Sequence, residues 1–317
     1  MLRIGMLTSG GDCQALNAAM RGVVKGLCSK REDVEIYGFK DGYKGLIYAD
    51  FSMLTSRDFS GILTRGGTIL GTSRQPFKLM RVPDKDGLDK VEAMKHTYHK
   101  LNLNCLVVLG GNGTHKTANL LREEGLNVVT LPKTIDNDLV LTDHTPGYGS
   151  AARYVAASVR EIALDASVYQ QKSVTIVEIM GRHAGWLTAA SALARKEAGD
   201  NPLLIYLPEA PFELAQFNDD LKKAFEKTAN VIVCVSEGIR DHGGRFICEY
   251  STEAQVDTFG HKMLAGCGKI LENYVRNQFG VKVRSVELNV NQRCSGLTVS
   301  GTDLNEAEMA GRFGVQA

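Results

Sequence analysis

Two aspartates follow a run of apolar residues that predicts a buried strand. Residues 131–143 read LPKTIDNDLVLTD, so Asp136 and Asp138 would project from the carboxyl end of that strand. Neighbouring carboxylates repel each other unless a cation lies between them, and Mg²⁺ prefers such hard oxygen ligands. The other carboxylate could accept the proton of an attacking substrate hydroxyl. The pattern indicates Mg²⁺-assisted phosphoryl transfer, and an aspartate-rich turn that caps a helix is the structural alternative.

Glycine-rich turns follow two other predicted strands. TSGGD at residues 8–12 places Gly11 after the first strand, and GGNGT at residues 110–114 places Gly113 before a helix. Backbone amides at helix N-termini bind phosphate, and ligands of open α/β sheets lie at the carboxyl ends of strands. The spacing matches neither GxGxxG nor GxxxxGKS/T. Two such turns on one sheet favour a phosphate or nucleotide site, although each alone could be a simple chain reversal.

Polar residues also follow strands in the second half of the chain. The segment MGR at residues 180–182 follows one strand, Glu237 ends another, and Arg284 and Arg293 flank a third. Arginine suits planar, bidentate phosphate contacts, and a carboxylate can accept sugar hydroxyls. These residues together are consistent with a sugar phosphate site, while solvated arginines and glycines that begin a helix are the structural alternative.

Short runs rich in Val, Ile and Leu alternate with longer segments of helical period, which is typical of parallel α/β layering. Strands are predicted at residues 2–8, 34–39, 105–110, 127–132, 173–180, 203–208, 230–238 and 284–290. Helices are predicted at residues 13–30, 115–125, 148–168, 185–198, 214–228 and 257–279, and the last residues resemble a helix and its exit. A change of domain is expected near Pro146 and Gly147, where a long helix follows the acidic segment.

The composition narrows the class of protein. A chain of 317 residues fits two domains, and a formal net charge of +1 gives no electrostatic case for binding nucleic acid or an anionic membrane. The seven cysteines show no CxxC spacing, which is typical of a reducing compartment. No run of about 18 apolar residues occurs, so we expect a soluble, cytoplasmic protein.

The ordered set of motifs resembles the phosphofructokinase family. IGMLTSGGD, RGGTILGTSR, GGNGT, PKTIDND, VEIMGRHAGW, VSEG and QRC occur in family order and span nearly the whole chain. The resemblance implies two doubly wound Rossmann-like α/β/α domains with the active site in the cleft between them. Residues 1–147 plus 291–317 would bind the phosphoryl donor, and residues 148–290 would bind fructose 6-phosphate. It also implies a glycolytic 6-phosphofructokinase that forms a homotetramer or dimer and phosphorylates the sugar 1-hydroxyl.

The resemblance implies roles for individual residues. Asp136 would be the base, Asp138 and Asn112 would lie at the Mg²⁺ ion, and Arg182 would stabilise the transferring phosphoryl group. The residues that would line the donor site are Gly11, Tyr43, Arg74, Gly111, Asn112, Gly113 and Thr114. The residues that would hold fructose 6-phosphate are Thr134, Asp136, Met180, Gly181, Arg182, Glu237, Arg284 and Arg293, with Arg284 reaching across a subunit interface.

The chain departs from the family pattern at several positions. Asn112 stands where many members have an aspartate near the metal, and Val290 replaces a histidine that contacts the sugar 6-phosphate. We also expect the family pattern to continue past residue 317. These departures keep a catalytically weak regulatory subunit as an alternative. A lipid or dinucleotide kinase is disfavoured, because those families lack the MGRHAGW segment.

Gly113 and Lys133 bear on the phosphoryl donor. Members that use pyrophosphate commonly carry aspartate at the position of Gly113, where its carboxylate would repel the α-phosphate of ATP. Lys133 is typical of pyrophosphate users, in which it can stabilise the leaving phosphate, although some ATP users carry it too. We therefore expect ATP as the donor and keep pyrophosphate as the alternative.

Overall fold

The computed structural model describes residues 1–84, 86–250 and 266–317. The chain forms two compact units. The first unit contains Met1–Ser150 and Arg293–Ala317, and the second contains Ala151–Gln292. Each unit is built on its own sheet, of five and four strands respectively. None of the helices within these described ranges has the length and apolarity needed to cross a bilayer.

The first unit has the strand order β3-β2-β1-β4-β5. Its elements are β1 (Leu2–Thr8), α1 (Leu16–Cys28), β2 (Val34–Phe39), α2 (Tyr43–Tyr48), β3 (Phe51–Leu54), α3 (Lys90–Lys100), β4 (Cys105–Gly110), α4 (Asn112–Glu123) and β5 (Val128–Pro132). All pairs are parallel except β2 with β3. After β1 the chain adds β2 and β3 on one side of the sheet, and after β4 it adds β5 on the other side. Such a switch point is where open α/β sheets bind ligands.

The apolar sequence of β4 explains its central place. Leu106 and Val108 pack into a cluster with side chains of α2, α3 and α4. Val107 and Leu109, which point to the opposite face, are also buried. A strand that is covered on both faces needs this continuous apolarity, since an alternating pattern would bury polar groups without partners.

The second unit has an all-parallel sheet of order β7-β8-β6-β9. Helix α5 begins in the first unit, and α9 ends in it. The elements in chain order are α5 (Tyr148–Ser167), β6 (Ser173–Ile179), α6 (Trp186–Ala190), β7 (Leu204–Tyr206), α7 (Leu214–Lys227), β8 (Asn230–Ser236), α8 (Cys267–Phe279), β9 (Lys282–Glu287) and α9 (Asn291–Cys294). Every residue of β8 is buried. Strands β6 and β8 are neighbours, so the residues after them lie side by side.

The last helix, α10 (Gly301–Gly314), belongs to the first unit and packs on α1. A β-carbon at Gly22 would lie 2.1 Å from the carbonyl oxygen of Glu308, and one at Gly311 would lie 2.1 Å from that of Ala19. Only glycine permits this close approach of two helices. The buried Asp303 accepts hydrogen bonds from the amide of Gly147 at 2.8 Å and of Ser150, so α10 also holds the start of α5.

Several elements differ from the sequence predictions. The antiparallel strand β3 was not predicted, because its four residues, FSML, are too few to indicate a strand and none of them is fully buried. Helix α4 begins at Asn112 instead of residue 115, and α6 is followed by a 3₁₀ turn at Ser191–Ala194 instead of continuing to residue 198. Strand β9 covers Lys282–Glu287 instead of 284–290. The predicted helical residues 257–265 lie outside the described residues.

Candidate functional site

The two glycine turns meet at the switch point of the first sheet. We call residues 9–12 the first glycine turn and residues 110–114 the second. The hydroxyl of Thr114 donates to the carbonyl of Ser9 at 3.3 Å and so joins the two turns. Gly10 has a φ of 94°, and its amide donates to the carbonyl of Ser73 at 3.3 Å. The backbone therefore turns sharply after β1 and is held from two sides.

The second glycine turn presents a helix N-terminus. Helix α4 begins at Asn112, and its N-cap residue, Gly111, has no side chain with which to cap it. Asn112 and Gly113 are exposed, and a β-carbon at Gly113 would meet no atom within 4 Å. Exposed amides at a helix N-terminus attract anions. The space over Gly113 is open, so packing alone does not require glycine there.

Tyr43 supports this turn from within the core. Its side chain is 1% exposed, and its hydroxyl donates to the carbonyl of Thr114 at 2.8 Å. Burial raises the pKa of Tyr43, so the phenol stays protonated and remains a donor. Tyr43 thus reaches the predicted donor site through the backbone of Thr114.

Lys133 is a buried cation at the first glycine turn. It is 5% exposed, and its ammonium group donates to the carbonyl of Gly11. Burial lowers the pKa of Lys133, and the nearby ionisable groups of Cys13, Asp12 and Asp136 oppose that shift. A lysine buried in this way is costly unless anionic groups surround it.

Two arginines approach the same turn. A β-carbon placed at Gly11 would lie 3.7 Å from a terminal nitrogen of Arg293 and 3.9 Å from one of Arg74. The segment before Arg74 is held to the turn, because the hydroxyl of Thr72 donates to the carbonyl of Gly10 at 2.7 Å. Three cations therefore converge on one backbone turn, which is the arrangement that a polyanionic phosphate ligand requires.

Residues 133–145, which we call the acidic loop, are fixed by their own asparagine. Asn137 has a φ of 55°, accepts from the amide of Thr145 at 2.8 Å and donates to the carbonyl of Asp143 at 3.3 Å. The amide of Asp136 donates to the hydroxyl of Thr134 at 3.1 Å. These bonds close the loop and leave Asp136 half-buried and Asp138 exposed after β5.

Asp138 and Asn112 are the two residues predicted to bind a metal ion. In the described part of the chain, no group of three or more His, Cys, Asp or Glu side chains forms a metal cluster. Mg²⁺ keeps several waters and takes one or two carboxylates together with substrate phosphates. The exposed carboxylate of Asp138 and the exposed carboxamide of Asn112 offer oxygen ligands of the type that Mg²⁺ takes.

The second unit brings together three of the predicted sugar phosphate residues. The amide of Met180 donates to the side chain of Gln292 at 3.2 Å, and the amide of Gly181 donates to Glu237 at 3.3 Å. The hydroxyl of Ser236 donates to the carbonyl of Gly181 at 2.6 Å. The half-buried Arg182 follows directly in the chain. Gln292 belongs to the QRC motif, but the sequence analysis assigned it no role.

Arg284 is not brought to this group. It lies in β9 opposite Thr175 of β6, five positions before Met180, which is about 16 Å along a strand. Its exposed guanidinium lies 3.7 Å from Asp165 of α5. The two residues line a cavity together with Tyr169 and Lys282.

Glu178 is buried two positions before Met180. It is 4% exposed and accepts hydrogen bonds from the amides of Gly266 and Gly268 at the start of α8, at 3.0 and 2.7 Å. Burial raises the pKa of Glu178 to about 7, against the opposing effect of these hydrogen bonds. This carboxylate anchors a helix N-terminus, which accounts for a charged residue within an apolar strand.

Comparison with known proteins identifies relatives over most of the chain. The family model described as Phosphofructokinase matches residues 3–293. The ATP-dependent 6-phosphofructokinase of Spirochaeta thermophila is 49% identical over 242 residues, which are 74% of this chain and 63% of that relative, under two thirds of its length. The pyrophosphate–fructose 6-phosphate 1-phosphotransferase of Amycolatopsis methanolica is 36% identical over 318 residues, which are 100% of this chain and 86% of the relative.

A solved structure shows the same fold. The pyrophosphate-dependent phosphofructokinase from Marinobacter aquaeolei superposes with a TM-score of 0.82 at 24% identity, over 100% of this chain and 75% of that chain. The predicted fold class of two Rossmann-like α/β domains is confirmed, with β3 as an antiparallel edge strand of the first sheet. The predicted family is confirmed by the match over residues 3–293.

Proposed function

The chain belongs to the phosphofructokinase family, and we propose that it transfers the γ-phosphate of ATP to the 1-hydroxyl of fructose 6-phosphate. The product is fructose 1,6-bisphosphate, and the reaction is a step of glycolysis. The observation that carries the choice of ATP is the open space over Gly113 at the uncapped start of α4. A donor with three phosphates needs that room for its α-phosphate.

The chain's own residues supply the proton transfer and the charge. The carboxylate of Asp136 takes the proton of the 1-hydroxyl as that oxygen attacks the γ-phosphorus, with Thr134 as a sugar or phosphoryl contact. Arg182 and Lys133 stabilise the negative charge of the transferring and leaving groups. Asp138 and Asn112 would hold a Mg²⁺ ion, which would supply positive charge to the donor phosphates. The residues that bind the donor are Gly11, Arg74, Gly111, Gly113 and Thr114, with Tyr43 supporting them.

Residues after strands β6 and β8 hold the sugar phosphate. Glu237 accepts sugar hydroxyls, and the backbone at Met180 and Gly181 lines the sugar. Arg293 contacts the phosphate. Arg284, which lies about 16 Å along the sheet from Met180, serves the site of a neighbouring subunit. This last assignment requires a homo-oligomer, a dimer or a tetramer, which we place in the cytoplasm.

Pyrophosphate is the second candidate donor, because a lysine at the position of Lys133 is typical of family members that use it. Its ammonium group lies on the carbonyl of Gly11, where it can stabilise a departing phosphate of either donor. Residues 1–147 with 291–317 form the donor domain in both cases, and residues 148–290 form the sugar domain.

Product detection tests the proposal. The purified chain is mixed with fructose 6-phosphate, MgCl₂ and ATP, and ³¹P NMR follows the appearance of a second phosphomonoester on the sugar. We expect fructose 1,6-bisphosphate and ADP in equal amounts, and none without MgCl₂. ATP that stays intact, or ADP without a sugar bisphosphate, contradicts the proposal.

A further inference from the structure

Asp303 is a buried carboxylate in the first turn of α10. It is 4% exposed, and both of its oxygens accept hydrogen bonds. Oδ1 accepts from the amide of Gly147 at 2.8 Å, and Oδ2 accepts from the amide of Ser150 at 3.2 Å and from its hydroxyl at 2.5 Å. Burying a carboxylate costs free energy unless such donors compensate it. Because all three donors come from one short segment, the role of Asp303 has to be sought in that segment.

The segment that Asp303 contacts follows the acidic loop directly. The acidic loop ends at residue 145, Gly147 immediately precedes α5, and Ser150 lies in the first turn of that helix. Gly147 has a φ of 108°, and a β-carbon there would lie 2.7 Å from the sulfur of Cys13. A side chain at this position would be strained and would clash. The backbone therefore has little freedom at the point where Asp303 contacts it.

The exit of the acidic loop is hydrogen-bonded to its entrance, where Asp136 lies. The amide of Thr134 donates to the carbonyl of Pro146 at 3.2 Å, and the hydroxyl of Thr145 donates to the carbonyl of Thr134 at 2.7 Å. The hydroxyl of Thr134 in turn accepts from the amide of Asp136 at 3.1 Å. These bonds connect the segment that Asp303 holds to the candidate base.

Helix α10 contacts the same region a second time, through Glu306. Glu306 lies about one turn after Asp303, so the two carboxylates share a face of the helix. The carboxylate of Glu306 pairs with Nε2 of His144, near the end of the acidic loop. This hydrogen bond raises the pKa of His144 and so favours the charged imidazolium. Two contacts from one helix therefore hold the exit of the loop.

We propose that Asp303 is a positioning residue for the candidate base, because its carboxylate fixes the exit of the acidic loop and thereby the place of Asp136. This inference rests on the proposed function for the role of Asp136. Asp303 acts through the backbone of Gly147 and Thr134 and does not contact the substrates. Asp136 needs this support, because a base works only when it lies within hydrogen-bonding distance of the proton that it takes.

Hydrogen exchange measures how firmly the loop is held, without using activity. Asp303→Asn keeps the size of the side chain, but an amide nitrogen cannot accept the bonds that one carboxylate oxygen accepts. We expect the amides of residues 134–147 to exchange faster in this variant, while those of the first glycine turn keep the wild-type rate. Mass spectrometry of the peptides reports both. Exchange of residues 134–147 at the wild-type rate in Asp303→Asn overturns the proposal.

Initial-rate kinetics test the consequence for catalysis. Displacing a catalytic group by about 1 Å costs up to about a hundredfold in rate, and we expect the kcat of Asp303→Asn to fall about tenfold. The Kd of inorganic pyrophosphate with MgCl₂, measured by titration calorimetry, should stay unchanged, since Asp303 contacts neither glycine turn. Glu308→Gln, on the same helix and paired with Arg21 at 3.3 Å, is the control and keeps the wild-type kcat. A wild-type kcat in Asp303→Asn, or a joint loss of kcat and pyrophosphate binding, contradicts the positioning role.

A double-mutant cycle separates positioning from a general structural role. If Asp303 acts on the base, Asp303→Asn lowers the residual kcat much less in an Asp136→Asn background than in the wild type. A residue that only stabilises the fold lowers the rate by the same factor in both backgrounds. Equal factors therefore overturn the proposal.

The possible failures are distinguishable. Ser150→Ala replaces Asp303→Asn if that variant does not fold, because it removes one donor to the carboxylate and leaves the charge in place. The same changes in exchange and kcat are then expected, at smaller size, and their absence overturns the proposal. A wild-type chain that makes no fructose bisphosphate refutes the proposed function, while hydrogen exchange still tests how Asp303 holds the loop. An active wild type whose kcat is unaffected by Asp303→Asn refutes the positioning role alone.

Discussion

The carboxyl ends of the two sheets bury opposite charges. In the first unit, Lys133 lies on the carbonyl of Gly11 among carboxylates and arginines. In the second unit, Glu178 lies against the amides of Gly266 and Gly268. Lys133 lies at the first glycine turn, beside the uncapped N-terminus of α4. Glu178 instead accepts hydrogen bonds from the amides at the N-terminus of α8. The first arrangement leaves room for an anionic ligand. In the second, the free backbone amides of α8 already have a partner within the chain.

This contrast separates a buried ionisable group that serves binding from one that serves the folded structure. A cation held over a carbonyl keeps donors available for a phosphate. A carboxylate at a helix start occupies the anion position itself. Variants near the first glycine turn should therefore change ligand binding or catalysis, whereas variants of Glu178 should change the free energy of unfolding.

The largest expected effect is at Asp136, beside the cation-rich turn. Asp136→Asn removes the base, so kcat should fall about a thousandfold while the KM for fructose 6-phosphate changes little. Initial-rate kinetics measure both. Asp143→Asn, in the same acidic loop, is the control and keeps the wild-type kcat. A kcat of Asp136→Asn within a few-fold of the wild type would refute its role as base.

The next effect is on stability, at Glu178. Its pKa is raised from 4.5 to about 7 in the folded state, so the folded chain binds more protons than the unfolded chain between those values. Its contribution to stability is complete below pH 4.5 and is lost as the pH rises through 7, by about 3 kcal/mol. Glu178→Gln removes this dependence. Urea unfolding of both proteins from pH 4.5 to 8 measures the difference, and parallel curves contradict it.

Lys133→Met should change binding and not stability. The kcat/KM for the phosphoryl donor should fall about fiftyfold, because a charge-assisted contact to the donor is lost. The melting temperature should not decrease, since the cost of burying an ammonium group disappears. Thermal unfolding and donor kinetics test the two halves. A lower melting temperature with unchanged kinetics would show that Lys133 serves the folded structure, as Glu178 does. That result would contradict the difference between the two regions.

The smallest expected effect is at Gly113. Gly113→Asp puts a carboxylate into the open space at the start of α4, so the kcat/KM for ATP should fall about tenfold relative to that for pyrophosphate. Gly113→Asn, which adds similar volume without charge, is the matched control and should cause a smaller change in that ratio. Equal losses for both donors in Gly113→Asp would show that the site does not discriminate at this position.

The sequence was most informative where one local pattern decides the outcome. The apolar run of β4 predicts both the strand and the glycine turn after it, and the structure gives strand Cys105–Gly110 followed by α4. Strand β3 was missed, because four residues, one of them a serine, are too few to give a recognisable apolar run. Its pairing with β2 depends on contacts distant in the sequence.

The site was less predictable, because burial and charge balance are tertiary properties. Lys133 was identified as a donor-site residue, but neither its burial nor its bond to the carbonyl of Gly11 follows from PKTIDND. Arg284 matched a motif, yet its place in the middle of β9 depends on the strand register.

The preference between donors tests the central claim most directly. Initial rates of fructose 1,6-bisphosphate formation by the wild-type chain are measured with ATP and with pyrophosphate at equal free Mg²⁺ and saturating fructose 6-phosphate. We predict a higher kcat/KM for ATP, because the space over Gly113 accepts an α-phosphate and Lys133 serves either leaving group. Turnover with pyrophosphate alone, or with neither donor, would contradict the account.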